Sequence, residues 1–286
     1  MNQFPFVSVL MTAYNRELYI AEAIESVLAS TYANFELVIV DDVSFDNTLT
    51  IIKKYATKDK RIKFFKNEKN LGDYQNRNVA ASYAKGEILM TVDSDDMLYC
   101  DSIDKCVFLV NKYPQSKFAI SNDFFSEPLL LDPVAAIHHH FFKTPLLMKG
   151  PGGTMMNRNY FNLIGGYPEK YGPANDMYFN LKAAAKTNVL FIPFEFIFYR
   201  RHEGQEINNS DNYLYNRYKY LRDALNELNL HLTKEEIRWL LKKNKRRFSV
   251  NVLKYFFKTF NFPKTIASLK AAEFTFFDFV EGVFQK

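Results

Sequence analysis

Residues 87–97 read EILMTVDSDDM, an apolar, partly β-branched run followed by three carboxylates within four positions. EILMTV has the length and composition of a strand buried on both faces. Asp93, Asp95 and Asp96 then open the loop that follows it. Like charges at this spacing repel one another. A fold that gathers them must place something positive on the cluster.

Working upstream, strand-like and helix-like segments alternate. FVSVLMT (6–12) is a short apolar run, and Ile20, Ile24, Val27 and Leu28 then recur at helical spacing. FELVIV (35–40) predicts a second strand, and Leu49, Ile52 and Tyr55 a helix capped by Asp46 or Asn47. IKFF (62–65) predicts a third strand, followed by a helix over 74–84 that Lys85 and Gly86 close. Downstream, Ile103, Val107 and Leu109 mark another helix, with Asp96 or Asp101 as its N-cap. The alternation predicts an α/β fold of βαβ units, with a mostly parallel sheet covered on both faces. Three polar groups then fall at the C-terminal ends of strands: Thr12, Tyr14 and Asn15; Asp41 and Asp42; Asp93, Asp95 and Asp96. In open α/β sheets ligands bind at that edge. One such group is explained by loop starts and helix caps; three on one edge point to a site.

Beyond about residue 115 the alternation weakens. KFAIS (117–121) predicts a strand, and 123–150, with three prolines and His138, His139 and His140, an irregular loop. GPGGTMMN (150–157) is glycine-rich and then apolar, 176–186 reads as a helix, and VLFIPFEFIFY (189–199) as one or two strands. From about Asn212 the chain reads helical. The three adjacent histidines sit on no rigid element in this reading and do not converge on one metal ion. Trp239 and the phenylalanines of the C-terminal part are expected to serve packing.

The 286 residues carry a net charge of +5 and are 48% hydrophobic, enough for a sizeable core. Residues 234–286 contain twelve Lys/Arg and five Asp/Glu, a local +7, so the first 233 residues carry −2. The basic excess therefore belongs to the C-terminal part, away from the acidic cluster. Cys100 and Cys106 fit neither a zinc knuckle nor a redox pair and are expected as free thiols. No leader pattern and no membrane-spanning run is seen, which predicts a cytoplasmic protein, peripheral on the membrane face if its tail binds there.

Asp93 and Asp95, one residue apart beyond a strand, can direct oxygens at a common centre. A hard cation, Mn2+ or Mg2+, would relieve their repulsion and keep open positions for phosphate oxygens. Neither a GxGxxG after the first strand nor a GxxxxGK[ST] occurs, so the glycine-based phosphate cradles are missing. A phosphate-binding metal substitutes for them.

The chain resembles the family 2 glycosyltransferases of GT-A type. The matching stretches are VSVLMTAYNRE, ELVIVDDVSFDNT, NEKNLGDYQNRNVAASYAKGEILMTVDSDD, GGYPE with the later ND pair, and FYRRHEG, in family order over roughly residues 5–205. The resemblance implies a Rossmann-like GT-A catalytic domain over 1–210, with a nucleotide-binding half to about 115 and an acceptor half beyond it. Residues 211–286 would form a helical extension. It implies a nucleotide-sugar donor, expected to be UDP-linked, Mn2+ or Mg2+, and inverting transfer of a hexosyl or N-acetylhexosaminyl group. The expected acceptor is a glycan or lipid-linked glycan in surface polysaccharide synthesis. Residue by residue, Thr12, Ala13 and Tyr14 would line the base pocket and Asp41 would meet the base, with Asn15 and Asp42 also among the nucleotide-sugar-binding residues. Arg77 and Ser94 would lie by the nucleotide, Asp93 on ribose or metal, Asp95 on the metal, and His202 by metal or diphosphate. Asp176 would be the catalytic base: an in-line displacement needs one carboxylate to take the acceptor proton.

Two positions depart from the family pattern. Asn175 stands where Glu is usual, which bears on acceptor positioning, and Val43 where Gly is common in a turn that favours positive φ. Two rival readings follow, a non-catalytic nucleotide- or glycan-binding relative and a sugar nucleotidylyltransferase; the second wants a glycine-rich loop where TAYNRE offers Arg16 and no glycine. In the tail, RWLLKKNKRRFSVNVLKYFFKTF (238–260) has six Lys/Arg in its first ten residues. It reads either as a membrane-surface segment or as a helix packed on the catalytic domain with a solvated basic face. No nucleic-acid signature accompanies the charge.

Overall fold

The computed structural model describes residues 4–203, 205 and 210–284; Gly204 of the FYRRHEG stretch lies outside them. The alternation is realised as β1 (Val7–Ala13), α1 (Ile20–Leu28), β2 (Phe35–Asp41), α2 (Thr48–Ala56), β3 (Ile62–Lys66), α3 (Asp73–Tyr83) and β4 (Ile88–Thr91). These four strands run parallel in the order β3-β2-β1-β4. The second half adds β5 (Met97–Leu98), α4 (Ser102–Lys112), β6 (Ser116–Ser121), β7 (Leu129–Leu131) and α5 (Pro133–Phe142). It continues with β8 (Thr154–Asn157), α6 (Arg158–Leu163), α7 (Asn175–Ala184), β9 (Asn188–Ile192) and β10 (Ile197–Phe198). Strand β8 enters antiparallel between β4 and β6, and β9 and β7 complete an eight-stranded sheet. The expected α/β architecture with a mostly parallel sheet is what forms.

Side-chain alternation along the strands divides the core in two. Val9, Met11, Leu37, Ile39 and Met90 join α1, α2 and α4 on one face. Leu10, Val38, Val40 and Leu89 join α3, α5 and α7 on the other. Every residue of β2 is buried, as a central parallel strand requires.

Gly86 does not cap α3 in the expected way. The cap residue is Ala84, in extended conformation. Gly86 is required because a Cβ there would lie 2.4 Å from the Ser8 amide nitrogen, so a side chain would force β1 and β4 apart.

Residues 123–150 are not the irregular loop that the prolines suggested. They hold β7 and α5, and the three histidines lie on the helix. Asp132 accepts from the Ala135 amide as N-cap and Pro133 occupies the first turn, the pairing that starts helices well. Successive helix positions point about 100° apart, so the histidines diverge. His138 faces Glu236 at 3.7 Å, His139 meets the Thr144 carbonyl, and His140 accepts from the Leu147 amide. Burial pushes His140 down to about 4.

The C-terminal region is helical: α8 (Ser210–Glu227), α9 (Lys234–Thr259), α10 (Phe262–Ala271) and α11 (Phe276–Phe284). Tyr220, Leu221, Ala224, Leu225 and Leu240 share the main core on the α7 face. Tyr218, Phe248, Val252, Ala272 and Phe274 form a separate small core. A capping box, Thr233 with Glu236, starts α9. Among the described residues no helix is long and apolar enough to cross a membrane.

Candidate active site

The parallel register sets the donor-side residues next to one another. Thr12 pairs with Val40 and Ala13 with Asp41, so the ends of β1 and β2 are level. Asp41 is fully buried; its Oδ2 accepts from the Ser44 amide, and its Oδ1 has no partner. Among the described residues, the buried side-chain polar atoms without a hydrogen bond are Asp41 Oδ1, Arg77 Nη1, Asp93 Oδ1 and Ser249 Oγ. An orphaned buried acceptor costs of order 1–3 kcal/mol. Two of these four lie on residues singled out at the sheet edge, Asp41 and Asp93, and a third on Arg77 of α3. Arg77 Nη1 and Asp93 Oδ1 do meet each other, 2.7 Å apart as an ion pair, which leaves Asp41 Oδ1 as the one of the three without a partner.

The remaining donor-side residues hold the loops in place. Asp42 accepts from the Leu71 and Gly72 amides and from Asn67 Nδ2, which fixes the turn before α3. Ser94 Oγ donates to the Thr12 carbonyl and ties β1 to the acidic loop. Asn15 receives the Phe45 amide on its Oδ1, and Tyr14 sits edge-on to Phe45, both rings exposed. Val43 adopts φ +65° and Asn15 φ +52°. The turn after β2 therefore does take the left-handed conformation in which glycine is usual, and a β-branched side chain bears it.

The two carboxylates expected as one ligand pair meet different cations. Asp93 belongs to Arg77, whose Nε donates to Asp73 at 2.9 Å, one helical turn earlier on α3. Burial alone would favour a neutral Arg77, but Asp73 and Asp93 beside it hold its pKa well above the ordinary value. Asp95 meets a different set: its Oδ2 lies 3.0 Å from Arg16 Nε and 3.1 Å from His202 Nε2. Tyr19 stacks on the His202 ring at 4.4 Å. The short β5–β10 ladder brings the segment at 200 against the acidic loop. There Arg200 donates from its amide to Asp96 Oδ1 and from Nε to the Asp95 carbonyl. Asp96 therefore anchors this segment and caps no helix; burial, helped by Asp93, raises it to about 7.

Donor chemistry allows a fit test for a divalent ion. Ligands at about 2.1 Å on adjacent octahedral corners stand about 3 Å apart. The Asp95 Oδ2–His202 Nε2 separation matches two such corners. No third His, Cys, Asp or Glu joins them among the described residues. Asp95 and His202 are thus the two side chains that would hold such an ion, at a carboxylate oxygen that Arg16 meets in this structure.

Asp176 lies in the first turn of α7, nearly buried, with Oδ1 accepting from the Met177 amide. A Cβ on Gly150 would come within 3.8 Å of its Oδ2, so the glycine-rich loop passes close to the carboxylate. Burial raises Asp176 to about 7, against the opposing pull of the Met177 amide and Arg77. Arg77 thus connects Asp176 electrostatically with Asp93. The neighbouring Asn175 accepts from the Tyr171 amide and is fully enclosed. Sequence reasoning missed Arg16 as the partner of Asp95, and Asp73, Tyr19 and Arg200 altogether. Only Asp73 carried a local signal, its i,i+4 spacing to Arg77.

The family model described as Glycosyl transferase family 2 matches residues 8–202. An uncharacterised glycosyltransferase of Methanocaldococcus jannaschii is 32% identical over 272 residues, 90% of this chain and 85% of that protein. UDP-Glc:alpha-D-GlcNAc-diphosphoundecaprenol beta-1,3-glucosyltransferase WfgD of Escherichia coli is 39% identical over 106 residues, 37% of this chain. The matches span only 35–41% of the length of WfgD and three further bacterial relatives. Among solved structures, S. aureus TarS in complex with UDP-GlcNAc superposes with a TM-score of 0.73 at 23% identity, covering 97% of this chain and 81% of that one. Mannosyltransferase PcManGT from Pyrobaculum calidifontis, in complex with GDP-Man and Mn2+, superposes with a TM-score of 0.63 at 16% identity, covering 99% and 88%. A family match over most of the chain, on a sheet that superposes with these folds, makes this protein a member of glycosyltransferase family 2 with a GT-A fold.

Proposed function

We propose that the chain transfers a sugar, with inversion, from a nucleoside diphosphate donor to a hydroxyl of a glycan or lipid-linked glycan in surface polysaccharide synthesis. The observation that carries this reading is the buried Asp41 carboxylate, whose Oδ1 lacks a partner, at the level ends of β1 and β2, together with the buried Arg77–Asp93 ion pair. UDP is the proposed donor nucleotide, since WfgD is named for UDP-glucose and a diphosphoundecaprenol-linked acceptor. Asp41 accepts a base N–H, and Thr12, Ala13 and Tyr14 form the wall beside it. Asp95 and His202 hold Mn2+ or Mg2+, whose chemistry is to neutralise charge on the departing diphosphate. Residues 1–210 form the catalytic unit and 211–286 an extension upon it.

Asp176 supplies the proton chemistry. The acceptor hydroxyl oxygen bonds to the anomeric carbon as its proton passes to the Asp176 carboxylate. The bond from that carbon to the diphosphate oxygen breaks on the opposite face, and the nucleoside diphosphate leaves. A base with a pKa near the working pH is well matched to this step. It must be ionised first, so activity rises with pH through about 7.

The test is calorimetry of the chain with UDP and Mn2+, followed by a screen of nucleotide-sugars for slow donor hydrolysis. Binding together with hydrolysis of one donor is expected. Binding without hydrolysis of any donor would support the non-catalytic relative, and absence of UDP binding would refute the donor assignment.

A further inference from the structure

We propose that the corner between α9 and α10 is an anchor that seats the protein on the interface of an anionic lipid bilayer. Eight consecutive residues there, FKTFNFPK (257–264), are all exposed. Phe257, Phe260 and Phe262 are 64%, 75% and 62% accessible. Phe256 backs them, with ring centroids 5.5, 6.0 and 6.4 Å away, so the exposed rings form one cluster. A contiguous apolar tip rimmed by charge marks an interaction surface.

Folding stability does not account for the residue at its apex. Phe260 ends α9 at φ +49°, a left-handed position where glycine or asparagine is the stable choice. The strain and the exposure both fall on one ring that projects from the turn. A ring left three-quarters exposed beside Phe256, in a conformation that resists it, is accounted for by something outside the molecule.

Charge decides which partner fits. Residues 251–272 contain Lys254, Lys258, Lys264 and Lys270 and no Asp or Glu. The acids that follow are turned to cations on neighbouring helices: Glu273, in the turn after α10, to Arg222, and Asp278 and Glu281 of α11 to Lys245. The basic character continues along the exposed side of α9 through Lys243 and Arg246. A two-fold contact between copies would set this patch against itself, lysine facing lysine. A bilayer with anionic headgroups matches both parts: aromatic rings enter the headgroup–acyl boundary while lysines stay at the phosphates. No helix needs to cross, and none of those described could. This surface stands independently of the donor chemistry.

Flotation of the full chain with lipid vesicles tests it. Binding to vesicles containing phosphatidylglycerol, weaker binding to phosphatidylcholine alone, and a decline with rising salt are expected. The triple variant Phe257→Ser, Phe260→Ser, Phe262→Ser should lose at least about tenfold in vesicle affinity, each ring contributing apolar burial. UDP binding and the thermal transition should be retained. Failure of the wild type to float, or unchanged flotation of the triple variant, would overturn the proposal. So would sedimentation showing a wild-type dimer that the triple variant turns into a monomer without change in vesicle binding. Calorimetry with UDP reads the donor site separately, so either reading can fail alone.

Discussion

Replacing Asp176 with asparagine should cut transfer by orders of magnitude and, at alkaline pH, make the protein more stable. The carboxyl is nearly buried and raised from its ordinary 3.8 to about 7. At 1.36 kcal/mol for each tenfold change in proton affinity, the ionised folded state is disfavoured by roughly 4 kcal/mol. The folded pKa lies above the unfolded one. The site therefore contributes its full stability below about pH 4 and loses it as pH rises through about 7. Asparagine keeps an oxygen for the Met177 amide and carries no charge. Relative to wild type, Asp176→Asn should gain up to about 4 kcal/mol at pH 8, and the gain should shrink by roughly 3 kcal/mol at pH 5. Urea unfolding at the two pH values reads this difference. In the same variant, turnover should fall by about 10²- to 10⁴-fold, the usual contribution of a positioned base, with UDP binding largely intact. Normal turnover would sink the base assignment. A stability difference identical at pH 5 and pH 8 would refute the burial argument, whatever the kinetics.

Two further outcomes follow from the site. Asp95→Ala, or EDTA on the wild type, should remove transfer and make UDP binding indifferent to Mn2+, because the carboxylate that meets His202 is lost; full activity without metal would refute the role. Val43→Gly should raise stability by about 0.5–1 kcal/mol in thermal unfolding. Relief of a left-handed L-residue is worth about 1–2 kcal/mol, partly offset by glycine's greater unfolded entropy; a loss of more than about 1 kcal/mol would show the Val43 side chain to be needed.

Much of the fold was legible because period and punctuation are local properties. The strand–helix alternation to about residue 115 and the polar strand ends could be read directly, since a parallel sheet buries whole apolar runs and puts its loops at one edge. The stretch 123–150 was misread for an equally local reason. Its prolines suggested loop, whereas Asp132-Pro133 is a helix start and the three histidines continue that helix. Gly86 was recognised as a boundary and given the wrong cause, because a close approach to Ser8 depends on another strand. Asn175 read as a departure that bears on acceptor positioning; its side chain is occupied with the Tyr171 amide.

The chain's own order of residues determined that Asp41, Asp93, Asp95 and Asp176 would occupy strand ends and a helix start, since each follows a segment whose type is written in its neighbours. Their partners it did not determine. Asp93 and Asp95 are separated by one residue, yet one pairs with Arg77 on α3 and the other with Arg16 and His202. Those contacts join residues far apart along the chain, so no spacing rule reaches them. They depend on the order of strands in the sheet and on the β5–β10 ladder that draws the segment at 200 over the acidic loop. Burial acts in the same way: Asp176 is an ordinary carboxylate until α7 and the glycine-rich loop enclose it, and only then does its proton affinity suit a base near neutral pH.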